Sequence, residues 1–251
     1  MTKIVKLTTY DLRFPTSDHL DGSDAMNPDP DYSAAYVIIE TNNNLLKGHS
    51  FAFTLGRGND LCCEAIKALQ HLVLGLDINW IKENQSVFSR MMTSDTQLRW
   101  VGPEKGIIHM ASGAIINAVW DILAKSQNKP LWQLVSDMSP DQISGSIDFR
   151  HITDFLNKDE AIEILSSHHR TKQHRVSKLE KEGYPCYVTS AGWLGYSDEK
   201  LKRLCIEAKE SGFEYVKLKV GKNLKDDMRR LEIARTTLGP DIKIMIDANQ
   251  V

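Results

Sequence analysis

The chain has 251 residues, with 31 lysine and arginine residues against 33 aspartate and glutamate residues, so its formal net charge is −2 at pH 7. This balance excludes nucleic acid and anionic membranes as main partners, because binding to either requires a marked basic excess. No apolar stretch approaches the ~18 residues of a membrane-spanning helix. The segment Met1–Phe14 lacks the basic region followed by an apolar region that is typical of a signal peptide. The four cysteines form no C-x-x-C pair. We therefore expect a soluble, unsecreted protein with reduced thiols.

Three strands are predicted in the first part of the chain. Apolar residues alternate imperfectly with polar ones over Ile4–Phe14, and two more apolar segments follow at Ala35–Thr41 and Leu45–Phe53. Asn42-Asn43-Asn44 supplies turn-forming residues between the last two, which predicts an antiparallel meander. The segment Ser17–Asp31 is far longer than a hairpin loop of about 2–5 residues. It is either a plain connector or a mobile lid, and its length favours the lid.

Helices follow these strands. Asn59 or Asp60 can cap a helix that runs through about Leu74. Apolar residues at helical spacing predict a second helix over about Ile78–Met92 and a third over about Glu104–Lys125. The strands and helices together make an α+β domain of about 130 residues, which is near the modal domain size.

Strands and helices alternate in the second part of the chain, from about Asp141. A helical segment over Ala161–Gly183 comes first. The elements then follow in the order strand, helix, strand, helix, strand, over Cys186–Ser190, Asp198–Ser211, Tyr215–Val220, Lys225–Leu238 and Lys243–Asp247. This regular order predicts parallel strands joined by crossover helices, as in a TIM barrel or a doubly wound sheet.

Two lysines point to chemistry in the middle strand of this series. Lys217 and Lys219 flank Leu218, and because side chains alternate along a strand, both ammonium groups leave the same face. Burying charge costs several kcal/mol unless the groups are paired or solvated. The alternative is a solvent-facing strand with ordinary surface lysines.

A carboxylate follows one βα unit later. The strand that contains Ile244 and Ile246 ends at Asp247, and the carboxyl ends of parallel strands are where α/β folds place functional groups. Taken alone, Asp247 could equally be a turn former or helix cap. Together with the lysines it suits removal of a proton next to a carboxylate, because an enediolate needs a divalent cation and a positioned base, ideally a lysine near another cation.

The two elements Lys217-Leu218-Lys219 and Asp247-Ala248-Asn249 resemble the K-x-K and D-x-N motifs of the mandelate-racemase-like branch of the enolase superfamily. Members of this superfamily use a lysine or histidine base with one or two Mg²⁺ ions on the ene-diolate. Longer strings resemble the L-fuconate dehydratase type with its animal mitochondrial members, and this resemblance extends over nearly the whole chain. The four strings that carry it best are DAMNPDPDYSAAYVIIET, QLRWVGPEKGIIHMASGAIINAVWDILAK, GYPCYVTSAGWLGYSD and VKLKVGKNLKDDMRR.

The resemblance implies roles for four residues of the C-terminal strands. Lys219 would be the catalytic base that removes the proton α to the carboxylate, and Lys217 would contact the substrate carboxylate. Asp247 would be the first Mg²⁺ ligand, with Asn249 in support.

Four residues of the long N-terminal loop are also implied as substrate-binding residues. Gly22, Ser23 and Asp24, followed by Tyr32, match the stretch that closes over the sugar acid. Where the family is expected to have Gly-Ala-Asp, this chain has Ser23, which bears on the choice among acid sugars.

The resemblance also implies an incomplete fold. Residues 1–140 would form the capping and substrate-lid domain, and residues 141–251 the first part of a TIM (β/α) barrel, truncated after its third strand. A complete barrel takes about 250 residues and eight strands. The missing part would carry two more carboxylate ligands and a histidine that acts as the acid for departure of the β-hydroxyl.

For the full-length relative, the resemblance implies a Mg²⁺-dependent hydro-lyase that converts L-fuconate into 2-keto-3-deoxy-L-fuconate. We expect the 251-residue chain alone to be inactive. Its partner would be a small-molecule acid sugar, L-fuconate or a related aldonate, with no nucleic acid and no membrane, and homo-oligomers stay open. Mitochondrial residence follows from the resemblance, with the cytoplasm as the alternative. A dehydratase for another acid sugar and a non-catalytic interaction protein that uses the N-terminal domain also stay open.

Overall fold

The computed structural model describes residues 1–102 and 105–249. The chain divides into two compact units, Met1–Leu12 with Ser33–Ser177 and Arg13–Tyr32 with Lys178–Val251. The long loop after the first strand therefore belongs to the unit that contains the C-terminal strands. Because these units interleave along the chain, they differ from the expected domains 1–140 and 141–251, which remain a prediction.

The first sheet has three strands, in the order β1 (Ile4–Arg13), β2 (Ser33–Thr41) and β3 (Lys47–Thr54). Strands β2 and β3 pair in antiparallel register, with Ala35 opposite Ala52. In β2, Ala35, Val37 and Ile39 are fully buried, while the residues between them are half-buried. This period of two is what a sheet with one face on the core requires, and it confirms the predicted meander.

Eight α-helices lie between β3 and the next strand in the part of the chain that the structure describes. They are α1 (Asn59–Ala68), α2 (Ile78–Glu83), α3 (Gln85–Thr93), α4 (Ile107–Ser126), α5 (Leu131–Asp137), α6 (Pro140–Gly145), α7 (Lys158–Ser167) and α8 (Lys172–Glu182). The predicted start of α4 at Glu104 lies outside the described residues. The single helix predicted over Ile78–Met92 is two helices, because the helical conformation is interrupted at Asn84. Helices α5 and α6 were not predicted.

The predicted cap of α1 is wrong. Its N-cap is Gly58, with φ of +88°, and no side chain caps the helix. Asn59 instead directs its side chain into the unit, where its Oδ1 accepts from the Thr54 hydroxyl at 2.7 Å and its Nδ2 donates to Asp11 at 2.5 Å. A residue that could cap is therefore used to link α1 to β1 and β3.

Helix α4 is the central helix of this core. It is 20 residues long and apolar enough, by length and composition, to cross a membrane, so the expectation that no segment reaches that length is wrong. Half of its residues are buried, among them Ile108, Ile115 and Ile122, and it packs on β3, β2 and α1. A helix that is apolar on most sides and buried in this way is typical of the core of a globular unit.

The second unit contains a parallel sheet, in the order β4 (Val188–Gly192), β5 (Tyr215–Lys219) and β6 (Lys243–Asp247). Helices α9 (Asp198–Glu210) and α10 (Leu224–Leu238) connect the strands and pack against each other. Their buried residues form one cluster with the strands: Ala191, Leu201, Cys205, Ala208, Val216, Leu218, Ala234 and Leu238. The βαβαβ order and the parallel pairing are confirmed, so this unit is part of an α/β barrel.

Candidate active site

Strand β5 presents two lysines on the face opposite to its helices. Val216 and Leu218 are fully buried in the cluster with α9 and α10. Because side chains alternate along the strand, Lys217 and Lys219 leave the other face. The side chain of Lys217 is 15% exposed and that of Lys219 only 8% exposed, so these are not ordinary surface lysines.

Asp247 lies directly opposite Lys219 in the register between β5 and β6. Its Oδ2 accepts hydrogen bonds from Lys219 Nζ at 2.7 Å and from Lys217 Nζ at 3.0 Å. Two ammonium groups therefore converge on one carboxylate oxygen at the carboxyl end of the sheet. This arrangement brings together the three residues that the sequence pattern singled out.

Asn249 completes the polar cluster. It has a φ of +56°, a left-handed conformation that asparagine adopts more readily than most residues. Its backbone N–H donates to Asp247 Oδ1 at 2.9 Å, and its side-chain Oδ1 accepts from Lys219 Nζ at 2.8 Å. The ammonium group of Lys219 is thus held between two acceptors that lie two residues apart on the same loop.

Electrostatics in the cluster follow from these bonds. Hydrogen bonds from Lys219, from the backbone of Asn249 and from Lys217 hold the pKa of the Asp247 carboxyl well below its ordinary value. A hydrogen bond to Tyr187 and the charge of Asp247 raise the pKa of Lys217, although burial lowers it. Asp247 is therefore an anion at neutral pH, and Lys217 is a cation.

Two aromatic residues that sequence reasoning did not single out border the lysines. Lys217 Nζ lies 3.0 Å from the Tyr187 hydroxyl and 4.6 Å from the centre of its ring. Lys219 Nζ lies 5.6 Å from the centre of the Trp193 ring. Cations within about 6 Å of an aromatic face are attracted to it. Both aromatic residues occur in the string GYPCYVTSAGWLGYSD, which supported the family resemblance. Their spacing matches no known motif, so the sequence pattern did not identify them as site residues.

The structure places the four predicted loop residues in the same unit as the lysines. Tyr32 contacts Trp193 edge-to-face, with the ring centres 6.1 Å apart. Gly22 lies against Tyr32 and has a φ of +90°, and a Cβ at Gly22 would come within 2.5 Å of the Tyr32 ring. Only glycine fits this position, because larger residues would clash and would be strained.

Ser23 and Asp24 are buried and already bonded. The Ser23 hydroxyl contacts the backbone carbonyls of Leu20 and Leu194. Asp24 Oδ1 accepts from the backbone N–H groups of Met26 and Asn27, and its Oδ2 accepts from Asn249 Nδ2 at 3.0 Å. These two side chains therefore hold the loop in shape, and Asp24 joins it to the polar cluster.

A second set of bonds joins the loop to the start of α9. Asp21 accepts from the Tyr196 hydroxyl and from Lys200 Nζ, the latter at 2.9 Å, and Lys200 also donates to the His19 carbonyl at 2.8 Å. The backbone N–H of Leu194 donates to the Ser23 carbonyl at 3.0 Å. The sequence predicted a mobile lid, whereas the structure shows the loop bonded at several points.

The side-chain oxygens of this cluster are of the kind that binds a hard cation, but they are too few to form a complete site. Asp247 and Asn249 present carboxylate and amide oxygens, the ligands that Mg²⁺ prefers, but Mg²⁺ needs six oxygens in near-ideal octahedral geometry, from protein, substrate and water together. Within residues 1–102 and 105–249 no group of three or more histidine, cysteine, aspartate or glutamate side chains could hold a metal ion. The described residues can therefore supply only part of a metal site.

Comparisons with known proteins agree with this architecture. Residues 29–136 match the family described as mandelate racemase / muconate lactonizing enzyme, N-terminal domain, and residues 200–251 match enolase C-terminal domain-like. The chain is 51% identical over 249 residues to mitochondrial enolase superfamily member 1 of Xenopus laevis, covering 99% of this chain and 56% of that protein. It is 46% identical over 251 residues to the L-galactonate dehydratase of Hypocrea jecorina, with the same coverage.

Solved structures share the fold. The crystal structure of human mitochondrial enolase superfamily member 1 has a TM-score of 0.95 at 48% identity, over 99% of this chain and 56% of that one. L-talarate/galactarate dehydratase from Salmonella typhimurium, liganded with Mg and L-lyxarohydroxamate, has a TM-score of 0.68 at 22% identity, over 99% and 52%. The chain spans about half the length of the curated relatives it matches. It belongs to the enolase superfamily, in the mandelate racemase and muconate lactonizing enzyme branch that includes acid-sugar dehydratases.

Proposed function

We propose that the ends of β5 and β6 supply the proton-abstracting part of an acid-sugar dehydratase site, whose substrate is L-fuconate. The observation that carries this proposal is the convergence of Lys217 and Lys219 on one oxygen of Asp247, at distances of 3.0 and 2.7 Å. Buried charges of this kind are costly, and a cluster of perturbed charges at the carboxyl end of parallel strands is typical of active sites.

The two lysines have different roles in the proposed reaction. Lys219 takes the proton from C2, next to the substrate carboxylate, onto its side-chain nitrogen. Lys217 stays a cation, contacts that carboxylate and stabilises the charge that develops on it. The β-hydroxyl then leaves C3 as water, with a proton from the acid that the family resemblance implies, and the enol product tautomerises to the 2-keto-3-deoxy acid.

Asp247 would hold Mg²⁺, with Asn249 in support. The bound ion would draw charge from the carboxylate oxygens of the substrate and so make the α-proton more acidic. The oxygen donors of the two residues support this proposal, as does the presence of Mg in the liganded Salmonella dehydratase. The family resemblance implies two more carboxylate ligands and a histidine acid, and the described residues bring no such group to this cluster. We therefore expect no turnover from the 251-residue chain by itself.

The loop residues Gly22, Ser23, Asp24 and Tyr32 would border the sugar. Burial and the charge of Asp24 raise the pKa of Tyr32, so its hydroxyl stays protonated and would be available to donate to a ligand. Ser23 and Asp24 would act through the shape of the loop. The names of the Xenopus and human relatives support mitochondrial residence.

A second substrate is favoured by a specific observation, the 46% identity to an L-galactonate dehydratase. L-Fuconate is the 6-deoxy form of L-galactonate, so the two differ by one hydroxyl group. A pocket that hydrogen-bonds that hydroxyl would reject L-fuconate strongly, whereas an apolar pocket would discriminate only weakly.

The proposal is tested with a chimera in which this chain replaces the matching 56% of the Hypocrea jecorina enzyme. We expect 2-keto product from L-fuconate, measured by the absorbance of its semicarbazone, with L-galactonate as the competing substrate. The Lys219→Ala chimera should lose at least about 10³-fold in kcat, since it lacks the proton acceptor. A folded parent chimera that dehydrates no acid sugar would overturn the assignment.

A further inference from the structure

Helix α10 carries an arginine in the core of the second unit. Arg230 is 1% exposed and is among the largest fully buried side chains of the described residues. Its guanidinium donates to the carbonyl oxygens of Lys219 at 2.6 Å, Gly192 at 3.0 Å and Trp193 at 2.9 Å. These carbonyls lie where β4 and β5 end, so one side chain bonds to the ends of two neighbouring strands.

An acidic residue one turn earlier on α10 makes the matching contact. Asp227 is 6% exposed, and its Oδ2 accepts from the backbone N–H of Gly221 at 2.9 Å. Its other oxygen lies 3.9 Å from Arg230 Nη1, and among the described residues neither that oxygen nor Arg230 Nε has a hydrogen-bond partner. The two charges therefore bond chiefly to backbone and only weakly to each other.

Together these contacts enclose the backbone around Lys219. Arg230 holds the carbonyl of Lys219 itself, and Asp227 holds the N–H two residues later, at Gly221. The Lys219 side chain then spans to Asp247 and Asn249 on the next loop. A strand end without such bonds is freer to rotate its last peptide groups, and such rotations would displace the ammonium group at the end of the side chain.

The cost of the arrangement argues for a specific role. Burial lowers the pKa of Arg230 from its ordinary value, which reflects the penalty of removing a cation from water. Apolar side chains would fill the same space between α10 and the sheet at lower cost, but they would leave three carbonyls without donors. A planar guanidinium with several N–H groups is the side chain that can serve all three.

We propose that Arg230 is a positioning residue for Lys219, and that with Asp227 it fixes the end of β5 so that the Lys219 ammonium group meets Asp247 and Asn249. This rests on the proposed function only in assigning Lys219 as the base. The contacts themselves concern the position of one ammonium group, which can be measured without substrate.

The test uses the 251-residue chain and three variants. Arg230→Met removes all donors, and Arg230→Lys keeps the charge but cannot serve three carbonyls. Arg229→Met is the matched control, because Arg229 is the adjacent residue of the same helix and bonds to the exposed side chains of Asp198 and Asp226. Side-chain ¹H–¹⁵N NMR follows the ammonium signals, and a Lys219→Arg variant assigns the signal of Lys219.

We expect about ten-fold faster hydrogen exchange of the Lys219 ammonium group in Arg230→Met, which corresponds to the loss of one charge-assisted hydrogen bond. Arg230→Lys should restore part of the protection, and Arg229→Met should match the parent. Thiol labelling of Cys205, which is fully buried on α9, reports whether the unit stays folded. If Arg230→Met exposes Cys205, the unit has unfolded, and the exchange rate of the Lys219 ammonium group in Arg230→Lys then tests the proposal by itself.

Two results would overturn the proposal. One is an unchanged Lys219 signal in a variant whose Cys205 stays protected. The other is simultaneous loss of protection at Lys219 and Cys205 in both Arg230 variants, which would show that Arg230 only stabilises the unit. If the chimera dehydrates no acid sugar, the NMR measurement still tests whether Arg230 positions Lys219. If the NMR measurement contradicts that role, the assignment of Lys219 as the base is still tested separately by the turnover of the chimera.

Discussion

Replacing Gly192 by alanine should separate the two strands that form one wall of the site. Gly192 ends β4 beside β5, and a Cβ at this position would lie 2.5 Å from the Lys217 carbonyl oxygen and 2.6 Å from the Leu218 Cα. Ordinary van der Waals contacts begin at 3.4 Å, so the strands would have to move apart to admit this methyl group. Both obstructing atoms belong to backbone, which cannot rotate away as a side chain can.

The expected cost lies in the upper part of the range for overpacked cores, about 2–3 kcal/mol. Moving β5 in this way would stretch its ladder with β4 and tilt the strand that carries both lysines. Hydrogen–deuterium exchange of peptides from β4 and β5 measures the effect locally. Urea denaturation measures the free energy of unfolding, read separately for the two units where their transitions differ.

Gly113→Ala is the control for this substitution. Gly113 lies within α4, and a Cβ there would meet nothing within 4 Å. Alanine should therefore stabilise the helix by about 0.5–1 kcal/mol, because glycine loses more backbone freedom on folding. The account of the strand contact would be refuted if Gly192→Ala were as well tolerated as Gly113→Ala, with unchanged exchange in β4 and β5.

Three further predictions concern the loop, a helix end and the chain as a whole. Burial raises the pKa of Asp21, but hydrogen bonds from Tyr196 and Lys200 outweigh it, so the pKa lies below its ordinary value. Stability from a depressed pKa is full above the unfolded value of about 3.9 and is lost as pH falls through the folded one. At pH 7 the free energy of unfolding of the parent should therefore exceed that of Asp21→Asn, by under about 1 kcal/mol for so exposed a pair. The two values should converge once the pH has fallen through the lowered pKa of Asp21. Asn223→Ala should cost about 1 kcal/mol of unfolding free energy, because its side chain caps α10 through the backbone N–H of Asp226 at 3.0 Å; an unchanged midpoint would contradict this. The purified chain should not co-elute with the full-length human relative in size-exclusion chromatography, and stable co-elution would favour the non-catalytic interaction protein instead.

The elements around the lysines were predictable because their patterns are local. Alternation over Tyr215–Lys219 places both ammonium groups on one face, and β6 has the predicted bounds, Lys243–Asp247, around its apolar run. The register between neighbouring parallel strands then brings Lys219 and Asp247 together. These features depend on the period of a strand and on the handedness of βαβ units, both of which hold in most folds.

Other features depend on tertiary contacts that no local pattern reveals. The break at Asn84 interrupts an apolar period that reads as one helix, and Asn59 looks like a cap but bonds to β1 and β3. Arg230 was also missed, although one signal existed. Asp227 and Arg230 fall on the same helical stripe as the buried Ala234 and Leu238, and charged residues at core positions of an amphipathic helix indicate a buried polar network.

The aromatic contacts were outside the reach of sequence reasoning for a different reason. Tyr187 and Trp193 flank β4, and their relation to the lysines depends on how the chain enters and leaves that strand. The loop residues Ser23 and Asp24 were predicted as substrate contacts, and their bonds to the loop backbone appear only in three dimensions. Side-chain identity alone does not show whether a polar group faces a ligand or its own backbone.

The central claim is that Lys219 accepts the proton from the carbon next to the substrate carboxylate. Its most direct test is proton–deuterium exchange at C2 of L-fuconate in D₂O, followed by ¹H NMR with the chimera and its Lys219→Gln variant. Lys225→Gln is the control, since Lys225 is an exposed lysine at the start of α10. We predict loss of the C2 proton signal with the parent and with the control, and none with Lys219→Gln. Equal exchange by the parent and the Lys219→Gln variant would contradict the account.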